Sequence, residues 1–138
     1  MMDVQDCIIR TNVFDVWKLK DNLLFLRPKD NYVIDEDDMK ALNEAIGSTF
    51  GKTKFFNIVE FGAYNNVTQE ARRYAATEES NQYTLADAYI IKSLALKIMG
   101  NFYLKVDRPP VPTRLFKDFE SALEWLESIE KRSQTLVK

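Results

Sequence analysis

The segment 93–129 constrains the fold more than any other, because it predicts a helix, a strand and a second helix in close succession. Apolar side chains at helical spacing predict the first helix over 93–106. The run Arg108-Pro109-Pro110-Val111-Pro112 ends that helix, since proline lacks a backbone N–H and clashes with the turn before it. A short strand follows at 113–116, and Asp118 then caps the last helix. Helices and strands that alternate in this way predict a sheet covered by helices.

The same alternation extends towards the N-terminus, where four apolar runs predict strands. The runs 13–19 and 23–26 flank the turn signal Asp21-Asn22 and predict a hairpin, with 13–19 as an edge strand. The runs 55–59 and 87–91 are almost wholly apolar, as expected for strands covered on both faces of a sheet. The sequence therefore predicts two central strands beside one antiparallel hairpin.

Two N-cap residues predict the remaining helices. Asp35 precedes three acidic residues, which the positive end of a helix dipole favours, and Thr68 starts a second helix. The apolar stripe of the first of these helices comprises Met39, Leu42, Ile46 and Phe50. The element order is β-β-α-β-α-β-α-β-α. It predicts an α/β fold with a mostly parallel sheet of four or five strands, an antiparallel edge hairpin and four helices.

Length and charge narrow the class of protein. At 138 residues we expect one domain, spanning 1–132, with a frayed tail at 133–138. The net charge of −2 argues against a nucleic-acid partner, since such binding usually needs a basic face. The single cysteine excludes an internal disulfide, and the acidic N-terminus lacks a signal peptide's apolar core, so we expect a cytoplasmic protein. The most apolar stretch, 89–104, is interrupted by charges and shorter than the ~20 residues that span a bilayer, so no integral membrane segment is expected.

The sequence contains no histidine, which excludes several kinds of catalytic and metal site. Histidine is the commonest general base and transition-metal ligand. With one cysteine and no histidine, one chain provides neither a structural zinc site nor a Ser-His-Asp or Cys-His centre. Composition leaves catalysis by paired carboxylates or by lysine open, but no motif has catalytic spacing. We therefore expect a protein that is not an enzyme, with no catalytic residues, metal or cofactor.

The last strand and helix carry a family resemblance. The strand Arg114-Leu115-Phe116 leads directly into a helix containing Ala122-Leu123-x-Trp125-Leu126. Together with the element order, this arrangement resembles the SpoIIAA-like group of STAS/SEC14-type domains. The stretches 100–105 and 112–114 resemble a subfamily of uncharacterised proteins from Bacteroidetes-type bacteria. The resemblance implies a SpoIIAA-like α/β fold.

The resemblance also implies a candidate site at the start of the second helix. STAS domains of the anti-anti-sigma kind carry a phosphorylatable serine there, within an Asp-Ser-x-Gly-Leu pattern. The corresponding segment here, Asn65-Asn66-Val67-Thr68-Gln69, keeps a hydroxyl but lacks the Asp and the Gly-Leu. The candidate phosphorylation or partner-contact residues are Thr68, Asn65 and Asn66. The alternative, which is compatible with such a role, is that Thr68 is simply the N-cap of its helix.

The helix predicted over 93–106 is apolar around about half its circumference, more than a helix docked on a sheet requires. Three explanations are open: cover by the loop at 109–112, a surface for self-association or a partner, and an apolar ligand pocket or membrane-surface contact. The candidate interface or pocket residues are Leu94, Ile98, Met99, Phe102 and Tyr103. Arg72-Arg73, by contrast, is interpreted as a pair of solvated helix charges.

Two functions are consistent with these features. The first is a non-catalytic interaction or regulatory module that docks a protein partner or a second copy of itself as a homodimer. The second is a small-ligand or lipid-binding domain of SEC14 character, with an apolar small molecule as its ligand. A dimer in sizing chromatography that dissociates with Met99→Lys or Phe102→Lys would favour the first function. A co-purified apolar molecule in native mass spectrometry would favour the second.

Overall fold

The computed structural model describes residues 6–137, with side chains through residue 133. The strands in this range are β1 (Ile9–Arg10), β2 (Phe14–Lys20), β3 (Leu23–Pro28), β4 (Val33–Ile34), β5 (Phe55–Glu60), β6 (Asn66–Val67), β7 (Thr84–Ile90) and β8 (Thr113–Phe116). The helices are α1 (Glu36–Phe50), α2 (Gln69–Ala75), α3 (Leu94–Phe102) and α4 (Phe119–Val137). A turn of π-helix, Tyr103–Asp107, extends α3.

The main sheet has the strand order β1-β2-β3-β5-β7-β8. β1, β2 and β3 pair antiparallel, whereas β3, β5, β7 and β8 pair parallel. Each parallel connection passes through one helix, as a crossover between parallel strands requires. The prediction of an α/β fold with a mostly parallel sheet, an antiparallel hairpin and four helices is confirmed.

Two details of the predicted sheet are corrected. The main sheet has six strands rather than four or five, and its edge strand is β1 rather than the segment 13–19, because Ile9 pairs with Val16 and Arg10 with Asp15. Asn66, a candidate contact residue, lies in β6, which pairs with β4 in a separate two-stranded sheet. Strands of two residues are too short to show an alternating pattern, so the sequence contains no signal for them.

The helices cover the two faces of the main sheet unequally. Side chains alternate along β5, so that Phe55 and Val59 pack with α1, whereas Phe56 and Ile58 pack with α4. α1, α2 and α3 line the first face, and among the described elements only α4 covers the second. The face covered by three helices contains an apolar cavity.

The predicted N-caps are confirmed. Asp35 forms a capping box with Asp38, each side chain accepting a hydrogen bond from the other residue's backbone N–H at 2.9 Å. Asp118 accepts from the N–H of Ser121 at 2.8 Å at the start of α4. Ser93, which was not predicted as a cap, accepts from the N–H of Leu96 at the start of α3. The side-chain oxygens thus satisfy N–H groups that have no partner within their own helices.

The ends of the last two helices differ from the prediction in one respect each. The helix predicted over 93–106 is α-helical only to Phe102 and then continues as the π-turn, which Arg108 ends in the left-handed conformation (φ 55°). α4 continues to Val137 and so includes most of the segment 133–138. Fraying of that segment in solution stays a prediction.

Candidate functional site

The asparagines predicted as contact residues before α2 have different environments. Asn65 is buried and holds its loop together: its Oδ1 accepts from the N–H of Gly62 (2.7 Å), and its Nδ2 donates to the carbonyls of Lys29 (2.8 Å) and Tyr32 (3.2 Å). Asn66 is exposed. Because the amide of Asn65 is used within the fold, only Asn66 of the two is accessible to a partner.

Thr68 is the N-cap of α2. Its Oγ1 accepts from the N–H of Ala71 at 3.1 Å, and the residue is half-buried next to the exposed Asn66. The structure therefore brings the predicted residues together at one helix start and confirms the cap. Phosphorylation of Thr68 stays a prediction.

We expect Thr68→Ala to lower the free energy of unfolding by about 1 kcal/mol, because the N–H of Ala71 loses its acceptor. Thr68→Ser, which keeps the hydroxyl, is the matched control and should change stability little. Urea denaturation at neutral pH measures both. Equal stabilities for the Ala and Ser variants would show that the cap contributes nothing.

α3 presents two apolar faces. Four side chains, spaced four residues apart, form an exposed outer stripe: Leu94 (74% exposed), Ile98 (63%), Phe102 (45%) and Val106 (58%). The inner face consists of Leu96, Met99, Gly100 and Tyr103. The five predicted interface or pocket residues therefore divide, with Leu94, Ile98 and Phe102 outside and Met99 and Tyr103 inside. Since the outer stripe is exposed, the explanation that the loop at 109–112 covers it is wrong.

Arg72 anchors the end of α3 to α2. Its guanidinium pairs with the carboxylate of Asp107 and lies over the ring of Phe102, 4.6 Å from the ring centroid. The side chains of the ion pair are only 15% and 9% exposed. The interpretation of Arg72 as a solvated helix charge is wrong, because its side chain is mostly buried in an ion pair. The partner lies 35 residues away in sequence, so no local pattern indicated it. Arg73 is exposed as expected.

A wide groove of about 740 Å³ runs between α3 and the edge strand β8. We call it the α3–β8 groove. Its lining residues are Ile91, Lys92, Ser93, Leu94, Lys97, Arg114, Leu115, Phe116, Lys117, Asp118 and Ser121. Gly100 lets the helix approach the strand closely, since a Cβ at this position would lie 2.8 Å from Cδ1 of Leu115. Leu94 belongs to both the groove and the outer stripe, so the two surfaces are continuous.

The α3–β8 groove is basic in an otherwise acidic protein. Its cations are Lys92, Lys97, Arg114 and Lys117, and its one acidic residue is Asp118. The carboxylate of Asp118 accepts the N–H of Ser121, and this hydrogen bond lowers its pKa. Lys92 lies 3.7 Å from Glu60, while no carboxylate of the described residues forms an ion pair with the other three cations. The groove therefore offers uncompensated positive charge.

Beneath the inner face of α3 lies an apolar cavity of about 110 Å³, which we call the inner cavity. The main sheet and the residues directly after two of its strands contribute Phe14, Leu26, Val59, Phe61, Tyr89 and Ile91 to its lining, and the two-stranded sheet contributes Ile34 and Val67. The helices contribute Met39, Leu42, Ala71, Arg72, Ala75, Leu96, Met99, Gly100 and Tyr103. A space of this size exceeds what one water molecule requires, and its apolar lining gives water few partners. The second predicted function, binding of a small apolar molecule, thus has a physical space.

Polar side chains lie in the middle of the sheet beside this cavity. Asn57 of β5 donates to Oδ1 of Asp87 (3.0 Å) and to Oγ1 of Thr84 (3.3 Å). The hydroxyl of Tyr89 lies 3.5 Å from the other carboxylate oxygen of Asp87. Burial raises the pKa of Asp87 to about 6, against the smaller, lowering effects of these hydrogen bonds. Burial also raises the pKa of Tyr89 and Tyr103, so both phenols are neutral donors near pH 7.

The described part of the chain contains no group of three or more His, Cys, Asp or Glu that could hold a metal ion. Within the same range no helix combines the length and apolarity needed to cross a membrane.

A family model for a domain of unknown function, DUF7793, matches residues 17–130. The chain belongs to this family. The matched range of the DUF7793 domain includes the α3–β8 groove, the Thr68 cap and every residue lining the inner cavity except Phe14. No curated protein matches the sequence.

A solved structure similar to this DUF7793 chain is the crystal structure of an uncharacterised protein of the DUF3478 family, with a SpoIIAA-like fold, from Shewanella loihica PV-4. The two chains superpose with a TM-score of 0.55 over 86% of this chain and 98% of the other, at 11% sequence identity. The likeness shows the fold, and it confirms the SpoIIAA-like architecture implied by the last strand and helix.

Sequence reasoning missed two parts of the site in the DUF7793 chain. Asn57 and Asp87 interrupt strands that are otherwise apolar, and a polar residue in a buried strand is a usable signal of a buried network. The cations of the α3–β8 groove carry no such signal. They lie near one another only because α3 packs along β8.

Proposed function

We propose that this chain is a non-catalytic docking module that binds an acidic, partly apolar segment of a partner protein in the α3–β8 groove. The observation that carries the proposal is the uncompensated positive charge of this groove beside the exposed outer stripe. Exposed apolar surface of this extent marks interaction sites. Acidic side chains complement the cations, and apolar side chains cover Leu94, Ile98 and Phe102.

The edge of the sheet supports an extended segment as the occupant. β8 pairs with β7 on one side and with no other described strand. An unpaired edge offers backbone N–H and C=O groups in the pattern that a bound peptide strand uses. Backbone pairing along β8 would then supply affinity, while Lys97 and Lys117 would select acidic side chains.

Charge disfavours two other occupants of the groove, a second copy of the chain and an anionic membrane. Residues 92–106 contain three lysines and no acidic residue, so two copies packed through α3 would bring like charges together. An anionic bilayer complements the groove, but the protein as a whole carries a net charge of −2 and is repelled by such a surface at long range. A homodimer and a membrane are therefore outcomes that the test must recognise.

The test uses a fluorescent twelve-residue peptide of alternating Glu and Leu, with a Lys-Leu peptide of the same length as its control. We expect the acidic peptide to bind in anisotropy titrations, more weakly as salt rises, and the basic peptide not to bind. Lys97→Glu combined with Lys117→Glu should weaken binding by about tenfold or more, because repulsion replaces attraction. The matched control, Lys52→Glu with Lys54→Glu, makes the same charge change at exposed residues outside the groove and should bind normally.

Three results would overturn the docking proposal. They are equal binding of the two peptides, equal loss in the groove and control variants, and no binding of the acidic peptide at any salt concentration. A dimer in sizing chromatography that dissociates with Phe102→Lys would replace the proposal with self-association. Sedimentation with phosphatidylserine vesicles, lost in the same variant, would replace it with membrane binding.

We further propose, from the sequence, that the protein acts in the cytoplasm and belongs with uncharacterised proteins of Bacteroidetes-type bacteria. A regulatory role would enter through Thr68, since a phosphate at a helix start meets free N–H groups. Thr68→Glu is the variant that tests it. An unchanged affinity for the acidic peptide would exclude control of docking by this residue.

A further inference from the structure

A second, smaller space adjoins the inner cavity and has a polar wall. It encloses about 80 Å³, and we call it the polar chamber. The polar chamber and the inner cavity share the lining residues Leu26, Met39, Leu42, Val59, Ala75 and Tyr89. Its polar wall consists of Asn43, Asn57, Ser80, Asn81, Thr84 and Asp87. Together the two spaces form a site that is apolar at one end and polar at the other.

The polar wall contains a buried acceptor without a donor in the described part of the chain. Asn57 is buried, and its Oδ1 has no hydrogen-bond partner among the described residues. Its Nδ2 is already used by Thr84 and Asp87. The Nδ2 groups of Asn43 and Asn81 are likewise engaged, with the carbonyls of Glu79 and Ala75 among their acceptors. A buried acceptor without a donor is costly, so the arrangement favours a ligand that donates hydrogen bonds.

The same wall holds a buried negative charge without a cation. Asp87 is buried, and among the described residues no lysine or arginine forms an ion pair with it. The nearest cation of the lining, Arg72, pairs with Asp107. The titratable groups facing the carboxylate are the phenols of Tyr89 and Tyr103, which are neutral. A cationic ligand head would meet no competing positive charge there.

We propose that the polar chamber and the inner cavity together bind a small primary amine with a short alkyl tail. The ammonium head supplies three N–H donors, which match Oδ1 of Asn57 and the carboxylate of Asp87. The tail enters the inner cavity, whose lining is apolar and includes the rings of Phe14 and Phe61. A cavity of about 150 Å³ accommodates benzene, so the 110 Å³ of the inner cavity fits a chain of about four or five carbons.

The test compares three probes with the same tail: pentylamine, pentan-1-ol and pentanoate. Each is titrated into the full chain at pH 7.5 and followed by NMR of the backbone amides. We expect pentylamine to shift amides of β5 and β7 and to bind about tenfold more tightly than pentan-1-ol, because a charge-assisted bond is stronger than a neutral one. Pentanoate should not bind, since its carboxylate would face that of Asp87.

Two variants locate the probe within the site. Asp87→Asn should remove the preference for pentylamine over pentan-1-ol while leaving the chambers open. Ala75→Leu, which enlarges the side chain of a residue lining both spaces, should weaken binding of both probes. Thermal melts of each variant establish that it is folded before titration.

Equal affinities for the three probes, or an unchanged preference in Asp87→Asn, would overturn the proposal. Absence of any shift with pentylamine, in a folded protein, would overturn it as well. These results are separate from docking, because the Lys97 and Lys117 variants leave both chambers unaltered. Binding of pentylamine to those variants is the control that keeps the two proposals apart.

Discussion

Asp107→Ala should lower the free energy of unfolding by about 3–5 kcal/mol, the effect expected when one partner of a buried ion pair is removed. Arg72 would be left with its guanidinium buried under α3 and no carboxylate to compensate it. The charge cannot be relieved by deprotonation, because arginine stays protonated in proteins. Urea denaturation at neutral pH, followed by circular dichroism, measures the loss.

Two controls test whether the loss of stability in Asp107→Ala comes from the buried, uncompensated charge of Arg72. Asp15→Ala removes the carboxylate that pairs with Arg10, whose side chain is 56% exposed, and should cost less than about 1 kcal/mol. Replacing both partners, Arg72→Met with Asp107→Leu, should recover most of the stability lost in Asp107→Ala, because no uncompensated charge remains. A loss in Asp107→Ala no larger than that in Asp15→Ala would show that the Arg72 pair is effectively solvated.

This ion pair also matters for the proposed docking surface. Arg72 lies against Phe102 of the outer stripe, so the pair and the ring hold the end of α3 on α2. Asp107→Ala should therefore weaken binding of the acidic peptide even under conditions where the variant is folded. The double replacement, which lacks the cation over Phe102, should restore stability more completely than binding.

The second large effect is a free energy of unfolding that decreases as pH rises, and Asp87 is its cause. The pKa of Asp87 is about 6 in the folded protein, against 3.8 for an ordinary aspartate, because the side chain is buried. Between these values the folded state binds more protons than the unfolded state, so stability falls as pH rises. The stability that Asp87 contributes is present below pH 4 and is lost as pH rises through about 6. The expected loss is on the order of 3 kcal/mol.

Asp87→Asn should remove this pH dependence and make the protein more stable than wild type at pH 7. Its amide oxygen can still accept from Nδ2 of Asn57, so the variant keeps the hydrogen bond to β5. Unfolding free energies measured at pH 4.5 and 7.5 for both proteins provide the comparison. Parallel changes in the two proteins would contradict the prediction.

Asp118→Asn is the control for the direction of the pH dependence, because the pKa of Asp118 is shifted in the opposite direction to that of Asp87. The pKa of Asp118 is lowered by its bond to the N–H of Ser121, so its contribution is present above the ordinary aspartate pKa and lost as pH falls. Removing that carboxylate should therefore weaken the protein most at neutral pH. The two aspartates would then shift the pH profile in opposite directions.

Local sequence signals accounted for most of the elements. The N-caps Asp35, Thr68 and Asp118 were recognisable because capping depends on one side chain and an N–H group three residues away. The central strands were recognisable because burial on both faces produces a continuous apolar run. The two-residue strands were not recognisable because they are too short to show an alternating pattern. The partner of Arg72 was not recognisable because it lies 35 residues away in sequence.

The predicted functional residues likewise combine a feature that local sequence reveals with one that only tertiary packing decides. The excess apolar surface of α3 was readable from its periodicity, because a helical wheel gives the width of an apolar stripe. Its division into an outer stripe and an inner wall was not readable, since the wheel does not say which half packs on the sheet. Met99 and Tyr103 line the inner cavity, while Leu94, Ile98 and Phe102 are exposed, because the side of α3 that carries Gly100 packs against the sheet.

The sequence by itself determined the order of the helices and of the longer strands, the α/β class and the absence of histidine chemistry, because these follow from local periodicity, caps and composition. Tertiary structure alone decided which polar and charged groups meet. It placed Asp87 and Asn57 side by side across two strands, paired Arg72 with Asp107, and gathered four cations along one groove. The physical reason is that burial and electrostatic pairing depend on distances between segments far apart in the chain, which no local pattern of residues records.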